Sequence, residues 1–166
     1  MGKIIYSFSV SLDGYFETVD HGLEWAIIDE EFHTFANEET RETAVELYGR
    51  RLYELMSDFW PTADEDPSAP AYVAEFARMW REKPKVVFSK TLEKVDWNSR
   101  LVRGNVVEEV EKLKGEYDGD MNVGGAELAA TFARLDLIDE YRVYIHPVIL
   151  GDGTPYLPMM NRPIRL

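Results

Sequence analysis

Three short stretches place residues that can hold an anion directly after apolar runs: ELYGRRLYE at 46–54, VVFSKTLEK at 86–94 and NVGGAELAA at 122–130. Glycine leaves backbone N–H groups unscreened and tolerates positive φ, so Gly49 and the pair Gly124–Gly125 can open helices whose first amides face a phosphate. Arg50, Arg51 and Lys90 add positive charge, and Ser89 adds a hydroxyl. Each stretch alone also has an ordinary reading. Arginines at a helix start are often solvated or paired with acids, Ser89-Lys90-Thr91 fits a turn, and a glycine pair fits a sharp strand-to-helix bend. Three such strand ends together describe a site for a phosphate-rich ligand, because ligands of open parallel sheets bind at the carboxyl ends of the strands. Neither the GxxxxGK[ST] phosphate loop nor the GxGxxG dinucleotide fingerprint occurs.

Such a site needs a sheet to carry it, and the apolar periodicity supplies one. KIIYSFSVSL (3–12), TAVELYG (43–49), KVVFS (85–89), WNSRLVR (97–103), GDMNVGG (119–125) and IDEYRVYIHPVIL (138–150) read as strands, the last with Tyr141, Val143 and Ile145 in strict alternation. Between them lie helical patterns at 30–41, RRLYELMSDF (50–59), AYVAEFARMWREK (71–83), VVEEVEKLKG (106–115) and AELAATFARLDL (126–137), with Asn105 and Glu108 spaced as a capping box. WPTADEDPSAP (60–70) and the proline-rich stretch from Gly151 onward read as loops. Strands alternating with helices predict an α/β sandwich with a largely parallel sheet, and 166 residues with 45% hydrophobic content fit a single domain over 1–166.

The formal net charge of −13 argues against a nucleic-acid partner, whose affinity needs a basic face. No run is apolar and long enough for a membrane span, and no signal peptide opens the chain. With no cysteine there is no disulfide or thiolate metal site, which fits the cytoplasm. His21, His33 and His146 lack a metal-ligand spacing, so no metal is expected.

SVSLDGYF, LYGRRLYE, VVFSKTLE, NVGGAELA and LIDEYRVYIHPVILGDGTPYL run in order over almost the whole chain. In that order and spacing they resemble the dihydrofolate reductase-like superfamily, and within it the C-terminal reductase domain of the bifunctional deaminase-reductase of riboflavin biosynthesis. The resemblance implies a three-layer αβα fold with a mostly parallel mixed central sheet, NADPH as hydride donor, and a small heterocycle of pteridine or ribosylaminopyrimidine type as acceptor. It sets Gly49, Arg50 and Arg51 beside the cofactor phosphates, Ser89 and Lys90 around the adenosine 2′-phosphate, and Gly124, Gly125, Ala126 and Glu127 at the cofactor. Trp25 falls where an aromatic lies near the nicotinamide, and the SLDG loop (11–14) borders both ligands.

The chain departs from the family pattern in three places. Leu52 stands for a cofactor-contacting threonine, Val123 stands for an acidic substrate contact, and PIRL ends the chain where relatives continue into another strand or hairpin. Hydride transfer to a C=N or carbonyl group also needs an acid. In folate-reducing relatives the acid follows a tryptophan by about one helical turn, which nominates Asp29, four residues after Trp25 and expected on the same helix face. Asp13 in SLDG is the rival. A dihydrofolate reductase, or a non-catalytic nucleotide-binding protein of the same fold, is the alternative. The alternating YRVYI strand and the YLPMM tail suggest a homodimer.

Overall fold

The computed structural model describes residues 2–160 and 163–165. Strand β1 (Ile4–Ser11) is an interior strand of the sheet, with Ile4, Tyr6 and Val10 buried on one face and Ser7, Ser9 and Ser11 on the other. A three-residue strand β2 (Tyr15–Glu17) follows a turn, and a loop then leads into helix α1 (Glu30–Glu42). The chain continues as β3 (Val45–Gly49), α2 (Arg50–Phe59), a 3-10 turn (Trp60–Thr62) and α3 (Ala71–Glu82). Strands β4 (Lys85–Phe88) and β5 (Ser99–Val102) precede α4 (Val106–Glu116), where Asn105 caps the helix by accepting from the Val107 and Glu108 amides. Last come β6 (Met121–Gly124), α5 (Ala126–Arg134), β7 (Glu140–His146) and a two-residue strand β8 (Thr154–Pro155).

Six strands form one sheet in the order β5-β4-β3-β6-β1-β7, and every described pairing within it is parallel. The antiparallel pairing is confined to a separate ribbon of β2 with β8, which lies in a stretch expected to be loop. A parallel sheet must be covered on both faces. Val110 and Leu113 of α4 and Leu128, Ala129 and Phe132 of α5 pack on Ile4, Tyr6, Leu47, Val86 and Val123. On the other face Tyr53 of α2 and Phe76 and Trp80 of α3 pack on Tyr48 and Val87. Helix α1 lies beside α3, where buried Asn37 donates to the Tyr72 carbonyl and to Glu75 Oε2, each at 2.9 Å.

The alternation expected to carry β7 to residue 150 stops at His146. Pro147 follows, and a residue without an N–H cannot extend the ladder. β7 is an edge strand, with Val143 and Ile145 exposed. Among the described residues no helix is long and apolar enough to cross a membrane, and no group of three or more His, Asp or Glu side chains is gathered as a metal site needs.

Candidate active site

The carboxyl ends of β3 and β6 lie side by side, Tyr48 level with Gly124, and each strand turns directly into a helix. Gly49 is the N-cap of α2 and Gly125 the N-cap of α5, and neither helix has a side-chain cap. Gly124, which ends β6, and Gly125, which follows it, meet different constraints. A Cβ on Gly124 would fall 2.5 Å from Leu52 Cδ2, so the Leu52 side chain would have to turn aside. Gly125 has room, with Leu52 Cβ at 3.4 Å, but its φ of +93° is a conformation that side chains disfavour. The first turn of α2 contains no acid and two arginines, the reverse of what the helix dipole favours, and the mismatch suits an anion bound there.

These two helix starts open onto a cleft of about 1240 Å³, lined by Gly49, Arg50, Arg51 and Leu52 on one side and by Gly125, Ala126 and Glu127 on the other. Glu17, His21 and Thr154 also line it. Glu17 is 2% exposed and takes both arms of the Arg51 guanidinium, at 3.0 and 2.7 Å, together with the Thr154 hydroxyl at 2.7 Å and His21 Nδ1 at 2.8 Å. Burial pushes the Glu17 pKa up, but the Arg51, Thr154 and His21 hydrogen bonds outweigh it and hold the carboxyl at about 2.

A second pocket of about 270 Å³ lies between β1 and α1, and it shares Phe8 and Leu52 with the cleft. Its floor includes Ser7 and Ser9, and its walls carry Phe32, Glu39, Glu46, Asn122, Arg142 and Tyr144. Glu39 Oε1 accepts from Arg142 at 2.7 Å, and its other oxygen accepts from the Tyr144 hydroxyl. Burial and the Glu39 hydrogen bond push the Tyr144 pKa up to about 12. Glu46 is buried, accepts from the Asn122 amide at 2.9 Å, and has its pKa raised by burial against the pull of that bond and of Thr43.

The model of the RibD C-terminal domain matches residues 2–162. The chain belongs to the RibD C-terminal domain family, a reductase-type family. YyaP of Bacillus subtilis (strain 168), described as an uncharacterized protein, is 35% identical over 167 residues, covering 99% of this chain and 85% of its own length. The fold is shared with a protein from Shewanella sp. PV-4 described as a riboflavin biosynthesis protein, at a TM-score of 0.71 and 22% identity over 97% of this chain and 86% of that one. It is also shared with a diaminohydroxyphosphoribosylaminopyrimidine deaminase/5-amino-6-(5-phosphoribosylamino)uracil reductase from Thermotoga maritima, at a TM-score of 0.64 and 15% identity over 98% of this chain and 51% of that one.

In this RibD C-terminal domain, seven of the residues expected at the cofactor line the cleft: Gly49, Arg50, Arg51, Leu52, Gly125, Ala126 and Glu127. Gly124 lies beneath it and lines the inner pocket instead. Ser89 and Lys90 line neither cavity. Ser89 Oγ accepts from the Thr91 and Leu92 amides in a turn, and Lys90 is exposed. The turn is tied to the cleft by Arg50, which donates to Thr91 Oγ1 at 2.7 Å and to Glu54 at 2.9 Å.

Trp25 also lines neither cavity. It sits in a turn before α1, edge-on to His146 with centroids 5.5 Å apart. The expectation that Trp25 and Asp29 share a helix face is corrected, because α1 begins at Glu30 and Asp29 is its N-cap. The exposed Asp29 carboxylate accepts from the Phe32 amide at 2.8 Å, which commits it to the helix start. Asp13 is likewise spent on structure. Ser11 Oγ donates to it at 2.7 Å and the Gly151 and Leu150 amides at 2.7 and 3.1 Å, and with the Ser11 bond foremost these lower its pKa. Neither aspartate lines either cavity.

The sequence reading missed Glu17 and the whole inner pocket. A signal was present: a central strand covered on both faces should be apolar on both, yet β1 alternates Tyr6, Phe8 and Val10 with Ser7, Ser9 and Ser11. Glu46 in β3 and Asn122 in β6 interrupt apolar runs in the same way.

Proposed function

We propose that the protein is an NADPH-dependent reductase whose dinucleotide lies in the cleft and whose acceptor, a pteridine or ribosylaminopyrimidine type heterocycle, occupies the inner pocket. The observation that carries this reading is the meeting of the two cavities at Phe8 and Leu52, beside two uncapped helix starts. The residues present fit a dinucleotide. The uncapped starts of α2 and α5 and the Arg51 guanidinium suit a pyrophosphate, and Arg50, which also lines the cleft, reaches Thr91 Oγ1 at 2.7 Å. A reduced nicotinamide, when bound, supplies hydride.

The chain's own groups bind and orient. Phe8 and Leu52 form an apolar neck that keeps water from the junction, while Ser7, Glu39 and Asn122 offer hydrogen bonds to a polar ring in the inner pocket. The volume of that pocket suits one or two fused rings rather than a long-tailed substrate. Because Glu17 already balances Arg51 and Glu54 pairs with Arg50, the preference for a 2′-phosphate rests on Lys90, in the turn that Arg50 ties to the cleft.

Titration of the protein with NADPH and NADH, followed by nucleotide fluorescence, tests the cofactor, and addition of dihydrofolate or of the ribosylaminopyrimidine precursor tests the acceptor. NADPH is expected to bind more tightly than NADH, and Lys90→Ala to weaken NADPH several-fold while leaving NADH unchanged. Equal loss for both nucleotides would remove Lys90 from that role.

A further inference from the structure

A reduction that leaves an electron pair on nitrogen or oxygen needs a proton donor, and both aspartates nominated from sequence are held outside the two cavities. The carboxyls that line the inner pocket are Glu39 and Glu46. Glu39 is bound to a cation, since Arg142 donates to it at 2.7 Å. Glu46 is not. The nearby ammonium groups are turned to backbone carbonyls, Lys83 to that of Thr43 and Lys85 to those of Trp80 and Lys83, and among the described residues neither forms an ion pair with it.

The hydrogen-bond geometry around Glu46 can accommodate a proton on the carboxyl. Thr43 Oγ1 lies 2.9 Å from the Thr40 carbonyl and 2.7 Å from Glu46 Oε1. A hydroxyl has one proton, and a carbonyl can only accept it. The hydroxyl can donate to either oxygen, and both contacts are hydrogen bonds at once only when Glu46 carries a proton of its own. Glu46 Oε2 accepts from the Asn122 amide, as the carbonyl oxygen of a neutral acid does. Burial disfavours the charged form of Glu46 and raises its pKa, outweighing the opposite pull of the Lys83 and Lys85 charges.

The position also suits a donor. Glu46 is level with Asn122, and Asn122 with Ile5, at the floor of the pocket. Two residues further along the same strands, Tyr48 and Gly124 reach the mouth where the cleft begins. Two residues of strand span roughly 7 Å, about the width of a heterocyclic ring.

We propose that Glu46, protonated in the resting protein, is the catalytic residue that delivers the proton to the acceptor. The proposal rests on the reductase reading. The acceptor carbon of a C=N bond takes hydride from a reduced nicotinamide, which is oxidised, and the π pair moves to the nitrogen. That nitrogen takes the Glu46 proton to give CH–NH, and the carboxylate left behind is held by Thr43 and Asn122 until solvent reprotonates it as product leaves.

The test compares wild type with Glu46→Gln, whose amide can donate to Thr43 and accept from Asn122 as the neutral acid does. Infrared spectroscopy at neutral pH is expected to show a protonated carboxyl band in wild type that is absent from the variant. A wild type without that band overturns the proposal, whether or not the variant folds. With NADPH and the heterocyclic acceptors, the variant is expected to keep its NADPH affinity within twofold and its KM, and to lose kcat by roughly a hundredfold. An unchanged kcat overturns the proposal and leaves the reductase reading standing. A wild type that binds NADPH but reduces neither acceptor removes the substrate reading and this proposal with it, and one that does not bind NADPH removes the cofactor reading as well.

Discussion

The cleft and the inner pocket meet at Phe8 and Leu52, yet they are built in opposite ways. The cleft is framed by backbone, in the form of two helix starts opened by Gly49 and by Gly125 at positive φ, and by a guanidinium fixed by a buried carboxylate. The inner pocket is framed by side chains from β1, α1, β3, β6 and β7 that belong to no continuous stretch. A backbone-built site holds a group that is common to many ligands, such as a pyrophosphate. A side-chain-built site can be changed one residue at a time, which is where substrate choice is best placed. Substitutions in the first should therefore move cofactor affinity and stability, and substitutions in the second should move turnover.

The largest expected effect is at Glu17. In the unfolded chain its carboxyl titrates near 4.5, and in the folded one at about 2. The stability this contributes is complete above about pH 5 and is lost as the pH falls from there towards 2, and it amounts to something on the order of 2–3 kcal/mol. Glu17→Gln should lose that much in urea melts at pH 7 and little at pH 2. A variant as stable as wild type at pH 7 would show that desolvating the carboxylate cancels its pairing with Arg51.

Gly125→Ala comes next. The strained φ should cost about 1–3 kcal/mol of stability. If the Gly125 amide meets the pyrophosphate, NADPH affinity per folded molecule should also fall by tenfold or more, since charge-assisted bonds contribute about 1.5–3 kcal/mol each. A thermal melt and an NADPH titration on one preparation separate the two, and a destabilised variant with wild-type affinity would reduce this glycine to a turn residue.

The smallest effect tests the corrected aspartate. Asp29→Ala should lower stability by about 1 kcal/mol through the lost helix cap and leave kcat and NADPH affinity unchanged. A hundredfold loss of turnover in a well-folded variant would restore Asp29 to the chemistry.

The cleft was legible because its signals are local. Gly49-Arg50-Arg51 and Gly124-Gly125 each state, within three residues, that a strand ends and a helix with bare amides begins, and the structure puts them side by side. Asp29 misled for a related reason. Four residues after Trp25 is one helical turn only if a helix runs through both, and a cap residue looks like any other acid until the helix start is fixed. Glu17 gave little local signal, since of its partners only His21 is near in sequence, and Arg51 and Thr154 come from distant parts of the chain.

The sequence by itself determined the alternation of strand and helix, the covered parallel sheet and the glycine-opened helices, because apolar period and backbone freedom are properties of neighbours along the chain. Only the tertiary structure decided which acids are spent and which are available. Whether Asp13 pins a loop, Glu17 neutralises an arginine or Glu46 keeps its proton depends on burial and on partners as distant in sequence as Gly151, Arg51 and Asn122, and those are fixed when the strands take their places in the sheet.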